Sequence, residues 1–212
     1  MSRRILKLAA LLAAAVLLSG QAVSPPPEHL SPGQWREDVA NFGRELAARH
    51  KDLFFHLPRA EFEQQISRLE DAAATASDIE MRAGLTRIMA AVDDPHSWIL
   101  AFNQGKPFEL RFRQFPEGWY CTEARDDMAE AVGARLISVA GIPVEEATRR
   151  LLPFIAQQNP IQTQDAMASL LLLPRALEAA GLPVPGKSAD FELMRDGRRF
   201  HSLRAGRAGT VA

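Results

Sequence analysis

The segment VDDPHSW at residues 92–98 divides the sequence into two parts with different hydrophobic patterns. Before it, apolar residues recur every three or four positions, as they do on the buried face of an α-helix. After it, apolar and polar residues mostly alternate, as they do in strands that bury one face. This change predicts an α+β fold, in which a helical N-terminal domain at residues 31–92 precedes a strand-rich region at residues 93–205.

Three amphipathic helices are predicted in the first part. The first begins at Ser31–Pro32, with serine as N-cap and proline at the first helical position, and it ends near His50. The second begins at Pro58. The third follows the capping box Ser77-x-x-Glu80. Short links between the three helices predict a compact helical cap.

The second part is predicted to contain strands with helices inserted between them. The predicted strands are Trp98–Phe102, Glu109–Phe115, Trp119–Thr122 and Arg135–Ala140, with a closing hairpin of Phe191–Met194 and Arg199–Leu203. Gly141-Ile142-Pro143 is expected to end the fourth strand. Helices are predicted from Val144 to about Leu152 and from Gln162 to Ala180, the latter kinked or split at Pro174.

The beginning of the chain indicates export. Basic residues within positions 3–7 precede an uninterrupted apolar run at 8–18, which is the order found in a secretory signal peptide, here at 1–22. The run is shorter than the roughly 20 residues of a membrane span. We therefore expect a protein of the periplasm or the extracellular space without membrane attachment after cleavage. A proline-rich spacer at 23–30 and a tail at 206–212 are expected to flank the fold.

The composition argues against several functional classes. A formal net charge of −1 without a concentrated basic face argues against a nucleic-acid partner. The five histidines are scattered, and phosphate-binding and dinucleotide-binding motifs are missing, so no metal and no cofactor are predicted. Cys121 is the single cysteine and cannot form an internal disulfide. Its place in the aromatic run Trp119–Thr122 predicts a buried structural thiol.

His96 is the candidate catalytic residue. Pro95 stops the preceding helix, so His96 is expected at the boundary of an element, where its position is fixed. Histidine takes and returns a proton near neutrality and can act as general base for a serine. In the alternative interpretation the role is structural: Asp94 caps the turn, and His96 packs against Trp98 or bonds a backbone carbonyl. Ser97 is a poor nucleophile candidate because immediate neighbours rarely meet at hydrogen-bond geometry.

Four segments together resemble a known family. They are the helical start at Trp35–Phe54, DDPHS at 93–97, FPEGWY at 115–120 and VGARLISVAGIPVEE at 132–146. In this order they resemble the N-terminal part of the tail-specific (C-terminal-processing, tricorn-like) serine peptidases, over roughly residues 31 to 205. The last segment is similar to the PDZ-like module of that family, where a glycine turn separates a core strand from a short helix.

The resemblance implies a PDZ-like α+β region and a protein or peptide substrate. It implies that His96 is a general base only in the tricorn-like branch and only together with a downstream core. In the branch with a serine–lysine pair, the same motif is structural. The family's nucleophile and oxyanion hole lie in a core after the PDZ-like region, whereas this sequence ends just after the closing hairpin. We therefore expect a non-catalytic, substrate-handling or regulatory portion of an exported serine peptidase, truncated or with its core encoded separately, and inactive alone.

Two alternatives stay open. The first is a stand-alone exported peptide-binding module. Its groove is expected between the strand Arg135–Ala140 and one of the helices after Pro143. The second is a non-functional remnant, for which an exposed apolar face is expected where a core should dock.

Overall fold

A computed structural model describes residues 29–103 and 107–205. The predicted signal peptide, most of the predicted spacer and the predicted tail lie outside these residues. The described residues from Ser31 to Ala205 belong to one compact unit, in which helices accompany an antiparallel sheet. The predicted mixed α+β class is therefore confirmed.

The described residues contain six α-helices. They are α1 (Pro32–Arg49), α2 (Arg59–Ala72), α3 (Asp78–Val92), α4 (Val144–Leu151), α5 (Pro160–Leu170) and α6 (Pro174–Ala179). Capping boxes at Ser31 and Ser77 begin α1 and α3, as predicted. The predicted helix Gln162–Ala180 is split, because Pro174 begins α6 and cannot continue the hydrogen-bond ladder of α5. Among the described helices, none is both long enough and apolar enough to span a membrane.

Helices α1–α3 form a cap with its own buried side chains. Trp35, Val39, Phe62 and Met81 are each less than 5% exposed. The Trp35 indole Nε1–H donates to Asp78 Oδ1 at 2.5 Å, which joins the beginning of α1 to that of α3. Burial of one face of each helix, with polar residues opposite, is what the apolar spacing predicts.

The strands form one antiparallel sheet. They are β1 (Leu110–Phe115), β2 (Gly118–Ala124), β3 (Arg135–Val139), β4 (Ile142–Pro143), β5 (Ser188–Arg195) and β6 (Arg198–Ala205). Their order is β1-β2-β3-β5-β6, with β4 paired to β3. Strands β1 and β6 are therefore the edges of the described sheet, and β3 lies in its interior.

One local prediction about the strands is wrong. Trp98–Phe102 lies outside the sheet; Phe102 is anchored in the core against Phe154, with ring centroids 5.2 Å apart, while Trp98 and Leu100 are largely exposed. A run of apolar residues does not by itself make a strand, because a strand also needs a neighbour to pair with. The prediction that Gly141-Ile142-Pro143 ends the strand is confirmed. Strand β3 ends at Val139, Ala140 and Gly141 adopt positive φ angles, and the chain then folds back as β4.

The core lies between the sheet and helices α4–α6. The face of the sheet toward these helices, the inner face, carries Phe112, Leu136, Phe191 and Leu193, all 5% exposed or less. Phe191 has its ring centroid 5.2 Å from Phe108 and 5.8 Å from Phe112. The opposite, outer face carries charged side chains such as Arg113 together with the aromatic pair Phe115 and Tyr120. Strand β1 contacts α5, so this helix lies beside the β1 edge of the sheet.

Candidate functional site

His96 lies at the exit of α3, as the sequence predicts. Asp93 ends the helix with a left-handed φ of 58°, and Pro95 and His96 form the turn that follows. The His96 side chain is 86% exposed, and its Nδ1 lies 3.4 Å from Asp94 Oδ1. An exposed imidazole beside a carboxylate is accessible to a partner but is not embedded in a formed catalytic pocket. Its role as general base stays a prediction.

Asp94 organises this turn. Its carboxylate accepts the Ser97 hydroxyl at 2.6 Å and the backbone N–H of His96 at 3.0 Å. His50, at the end of α1, lies with its Nε2 3.2 Å from Asp94 Oδ2. These hydrogen bonds, first that from Ser97 and then that from the His96 amide, lower the pKa of Asp94 from 3.8 to about 2. The Ser97 hydroxyl is thus engaged by Asp94 and not by His96.

Sequence reasoning missed His50 as a member of this cluster. It stands 44 residues before Asp94, and only the packing of α1 beside the α3 exit brings the two side chains together. Its side chain is largely buried, and its Nδ1 makes no hydrogen bond within the described residues. A histidine at the end of an amphipathic helix gives no signal in the sequence that marks such a partner.

Asp94→Asn is expected to remove an acid-sensitive part of the stability. Because the folded-state pKa of Asp94 is depressed, its contribution is present above about pH 4 and is lost as the pH falls through about 2. Urea unfolding of both proteins between about pH 2 and pH 6 should show a gap in free energy that closes toward acid. A gap that stays constant over this range would contradict the assignment.

Asp93 joins the same turn to a distant loop. Its Oδ1 accepts the backbone N–H groups of Gln157 at 2.6 Å and Gln158 at 3.0 Å. The Gln158 side-chain Nε2 lies 2.9 Å from His56 Nε2. The connector after α1, the exit of α3 and the loop before α5 therefore meet at one junction, which holds the cap against the sheet-bearing part.

An apolar face follows the DDPHS turn. Trp98 and Leu100 are 68% and 66% exposed. They border a groove of about 300 Å³, whose floor includes Phe102, Phe154 and Leu170. Both the hypothesis of a docking catalytic core and the hypothesis of a remnant predict such a face, so it does not separate them.

The predicted peptide groove beside Arg135–Ala140 is wrong. Strand β3 pairs with β5 on one side. On the other side Arg135 pairs with β2, and Ser138 and Val139 pair with β4, so β3 is an interior strand of the described sheet and offers no open edge for an added strand. The free edge next to a helix belongs to β1. Sequence reasoning could not find it because strand order depends on long-range pairing, which the spacing of apolar residues does not encode.

Two neighbouring cavities, which share lining residues on β1 and at the end of α5, follow this edge, and we call them together the β1 groove. One, of about 550 Å³, lies at the start of β1; its lining combines apolar residues, among them Phe108, Leu172 and Leu173, with polar and charged ones, among them Glu109 and Arg125. The other, of about 610 Å³, lies between the rest of β1 and α5. The start of β1 meets the end of α5, and the Phe108 N–H donates to Leu172 O at 2.8 Å. Strand and helix therefore run antiparallel along the groove.

Charged side chains on β1 and beside it differ in their pairing. Arg111 pairs with Glu123 on β2 at 2.9 Å, and Arg125 pairs with Glu109 at 2.6 Å. Arg113, between these pairs and the end of the strand, is exposed and pairs with no carboxylate among residues 29–103 and 107–205. On the helix side, Asp165 lines the groove.

Cys121 is buried on β2, as predicted. It is 1% exposed, and its thiol donates to the Glu123 carbonyl at 3.4 Å. Burial raises the pKa of the thiol, which disfavours the reactive thiolate. Across the described residues, histidine, cysteine and acidic side chains form no cluster of three or more that suits a metal ion.

No protein-family model matches this chain, and no curated protein matches its sequence.

Proposed function

We propose that this chain is the non-catalytic, peptide-handling portion of an exported serine peptidase of the tail-specific type, whose nucleophile is supplied by a separate catalytic core. In this proposal the sheet and helices α4–α6 act as a PDZ-like module. They bind an extended peptide as an additional strand on β1. The observation that carries the proposal is the free edge of β1 beside α5.

The edge supplies the backbone groups that such binding needs. An edge strand directs half of its N–H and C=O groups away from the sheet, where they can pair with another chain. The helix α5 flanks β1 but leaves about 610 Å³ between them. Main-chain hydrogen bonds would provide affinity, and the side chains lining the groove would provide selectivity.

The apolar cavity at the start of β1 sets the direction of the peptide. In an antiparallel arrangement, the C-terminal residue of the peptide lies opposite Leu110 and points inward. Phe108, Leu172 and Leu173 line that cavity, and they suit an apolar side chain. Successive peptide residues then point alternately outward, over the outer face of the sheet, and inward, toward α5.

Within the described residues, the geometry around His96 gives no support to cleavage of the peptide by this chain alone. The imidazole is 86% exposed, and the adjacent hydroxyl of Ser97 donates to Asp94. A general base acts on a nucleophile within hydrogen-bond reach. In this proposal such a nucleophile reaches His96 only when the catalytic core docks.

Fluorescence anisotropy with a labelled octapeptide ending in leucine tests the proposal. The free-carboxylate peptide is expected to bind, and its C-terminal amide about tenfold more weakly, because the proposal makes the module PDZ-like and such modules recognise the terminal carboxylate. Ala168→Arg places a long side chain in the groove and should abolish binding. Ala166→Arg is the matched control, since Ala166 is on the same helix but lines the groove beside Leu100.

Two results would overturn the proposal. One is equal binding of the free and amidated peptides, or no binding of either. The other is hydrolysis of the octapeptide by the purified chain and its loss on His96→Ala, which would establish a catalytic role for this chain alone.

A further inference from the structure

We propose that Arg113 makes the β1 groove selective for peptides with an acidic side chain at the fourth residue from the C-terminus. This inference rests on the proposed function, because it assumes an added strand on β1. It assigns a chemical class of ligand and a specificity-determining residue that the resemblance to the peptidase family does not supply.

The register of the added strand places one peptide residue beside Arg113. With the terminal residue opposite Leu110, the next three residues lie opposite Arg111, Phe112 and Arg113 in turn. Residues directly opposite in an antiparallel pair share a face, with their Cβ atoms about 4.5–5.5 Å apart. The fourth residue from the end therefore points outward beside the Arg113 side chain, within reach of an ion pair.

The positive charges of Arg111 and Arg113 differ in whether a carboxylate already pairs with them. Arg111 is already neutralised by Glu123, whereas Arg113 has no carboxylate partner among the described residues. Its cross-strand neighbour is Tyr120, and the next residue on that row of the outer face is Arg135. Arg135 also lacks a carboxylate partner within the described residues, and its Nε is buried without a hydrogen bond. The row thus presents two uncompensated positive charges.

Peptide side chains that point toward α5 meet a different charge from those beside Arg113. A peptide residue opposite Phe112 points toward α5, where Asp165 and Gln164 line the cavity; Arg111 and Arg113 line the same cavity from the strand side. A carboxylate that points toward α5 approaches the like charge of Asp165, whereas one beside Arg113 meets the opposite charge. An acidic side chain is therefore favoured at the fourth residue from the end over the third, which is a positional preference and not a general attraction to acidic peptides.

The test uses the full chain and two octapeptides that end in leucine and differ only at the fourth residue from the end, glutamate or glutamine. The glutamate peptide is expected to bind about three- to fivefold more tightly, the range of an exposed ion pair. Arg113→Gln should reduce this ratio to about one, and Arg113→Glu should shift the preference to a third octapeptide with lysine at that position. The double variant Arg111→Gln, Glu123→Gln is the matched control and should leave the ratio unchanged, because it removes an ion pair without changing the net charge.

The outcomes separate the two proposals. If both peptides bind equally and Arg113→Gln changes neither, the selectivity is refuted while peptide binding stands. If neither peptide binds, the groove function and the selectivity fall together. The assignment to Arg113 is also refuted if the ratio of the affinities for the glutamate and glutamine peptides falls equally in Arg113→Gln and in the control variant. Such a result would indicate a general electrostatic attraction and not a contact with Arg113.

Discussion

Replacing Phe191 by alanine is expected to lower the free energy of unfolding by about 3–5 kcal/mol. The side chain is fully buried on β5, and its ring contacts those of Phe108 and Phe112. Removal of the ring leaves a cavity and ends two aromatic contacts at once. Because these partners stand before and within β1, the loss also removes the support of the β1 groove. Urea unfolding followed by circular dichroism measures the effect.

Phe115→Ala is the matched control for this prediction. Phe115 is 43% exposed on β1, and its ring contacts Tyr120 at 5.7 Å between centroids. The same truncation there should cost less than about 1 kcal/mol, because little apolar surface returns to water. Similar losses for both variants would contradict a core centred on Phe191.

Replacing Asp93 by alanine is expected to cost about 2–3 kcal/mol, the second-largest effect. Alanine is disfavoured at the left-handed φ of 58° that ends α3. In addition, the amides of Gln157 and Gln158 lose their acceptor. The junction that holds the cap against the sheet-bearing part should therefore open before the rest of the fold. Faster hydrogen exchange at the amides of Gln157 and Gln158 measures this opening.

Two further substitutions separate the contributions at Asp93. Asparagine tolerates the left-handed conformation and keeps an oxygen acceptor, so Asp93→Asn should stay within about 1 kcal/mol of the original protein. Glycine relieves the backbone strain but supplies no acceptor for the two amides. The free energy of unfolding of Asp93→Gly should therefore lie between those of the asparagine and alanine variants. Equal stability of the alanine and asparagine variants would disprove the role of the side-chain oxygen.

Local signals in the sequence predicted the helices well. The capping boxes at Ser31 and Ser77 and the break at Pro174 each depend on residues close in the chain, and the structure places each of them as expected. The segment Trp98–Phe102 was mispredicted because a run of apolar residues does not show whether a second strand lies alongside. An apolar run of this length can therefore belong to a strand or, as here, to a segment outside the sheet.

The candidate site was less predictable for the same reason. The sequence indicated that His96 follows a helix end, and it does. It could not show that His50 approaches Asp94, or that Asp93 binds amides more than 60 residues away. Nor could it place the groove, because the interior position of β3 and the edge position of β1 follow from strand order. Spacing alone carries no information on that order.

The free edge of β1 also bears on self-association. An unpaired strand can join the same strand of a second copy, and a two-fold antiparallel pairing centred on Arg113 would place the Arg113 side chains of the two copies opposite each other. Like charges directly opposite across a strand pair are destabilising. Arg113, without a carboxylate partner of its own in the described residues, thus disfavours homodimers in this register. In this register a peptide of complementary charge is favoured at the edge over a second copy of the protein.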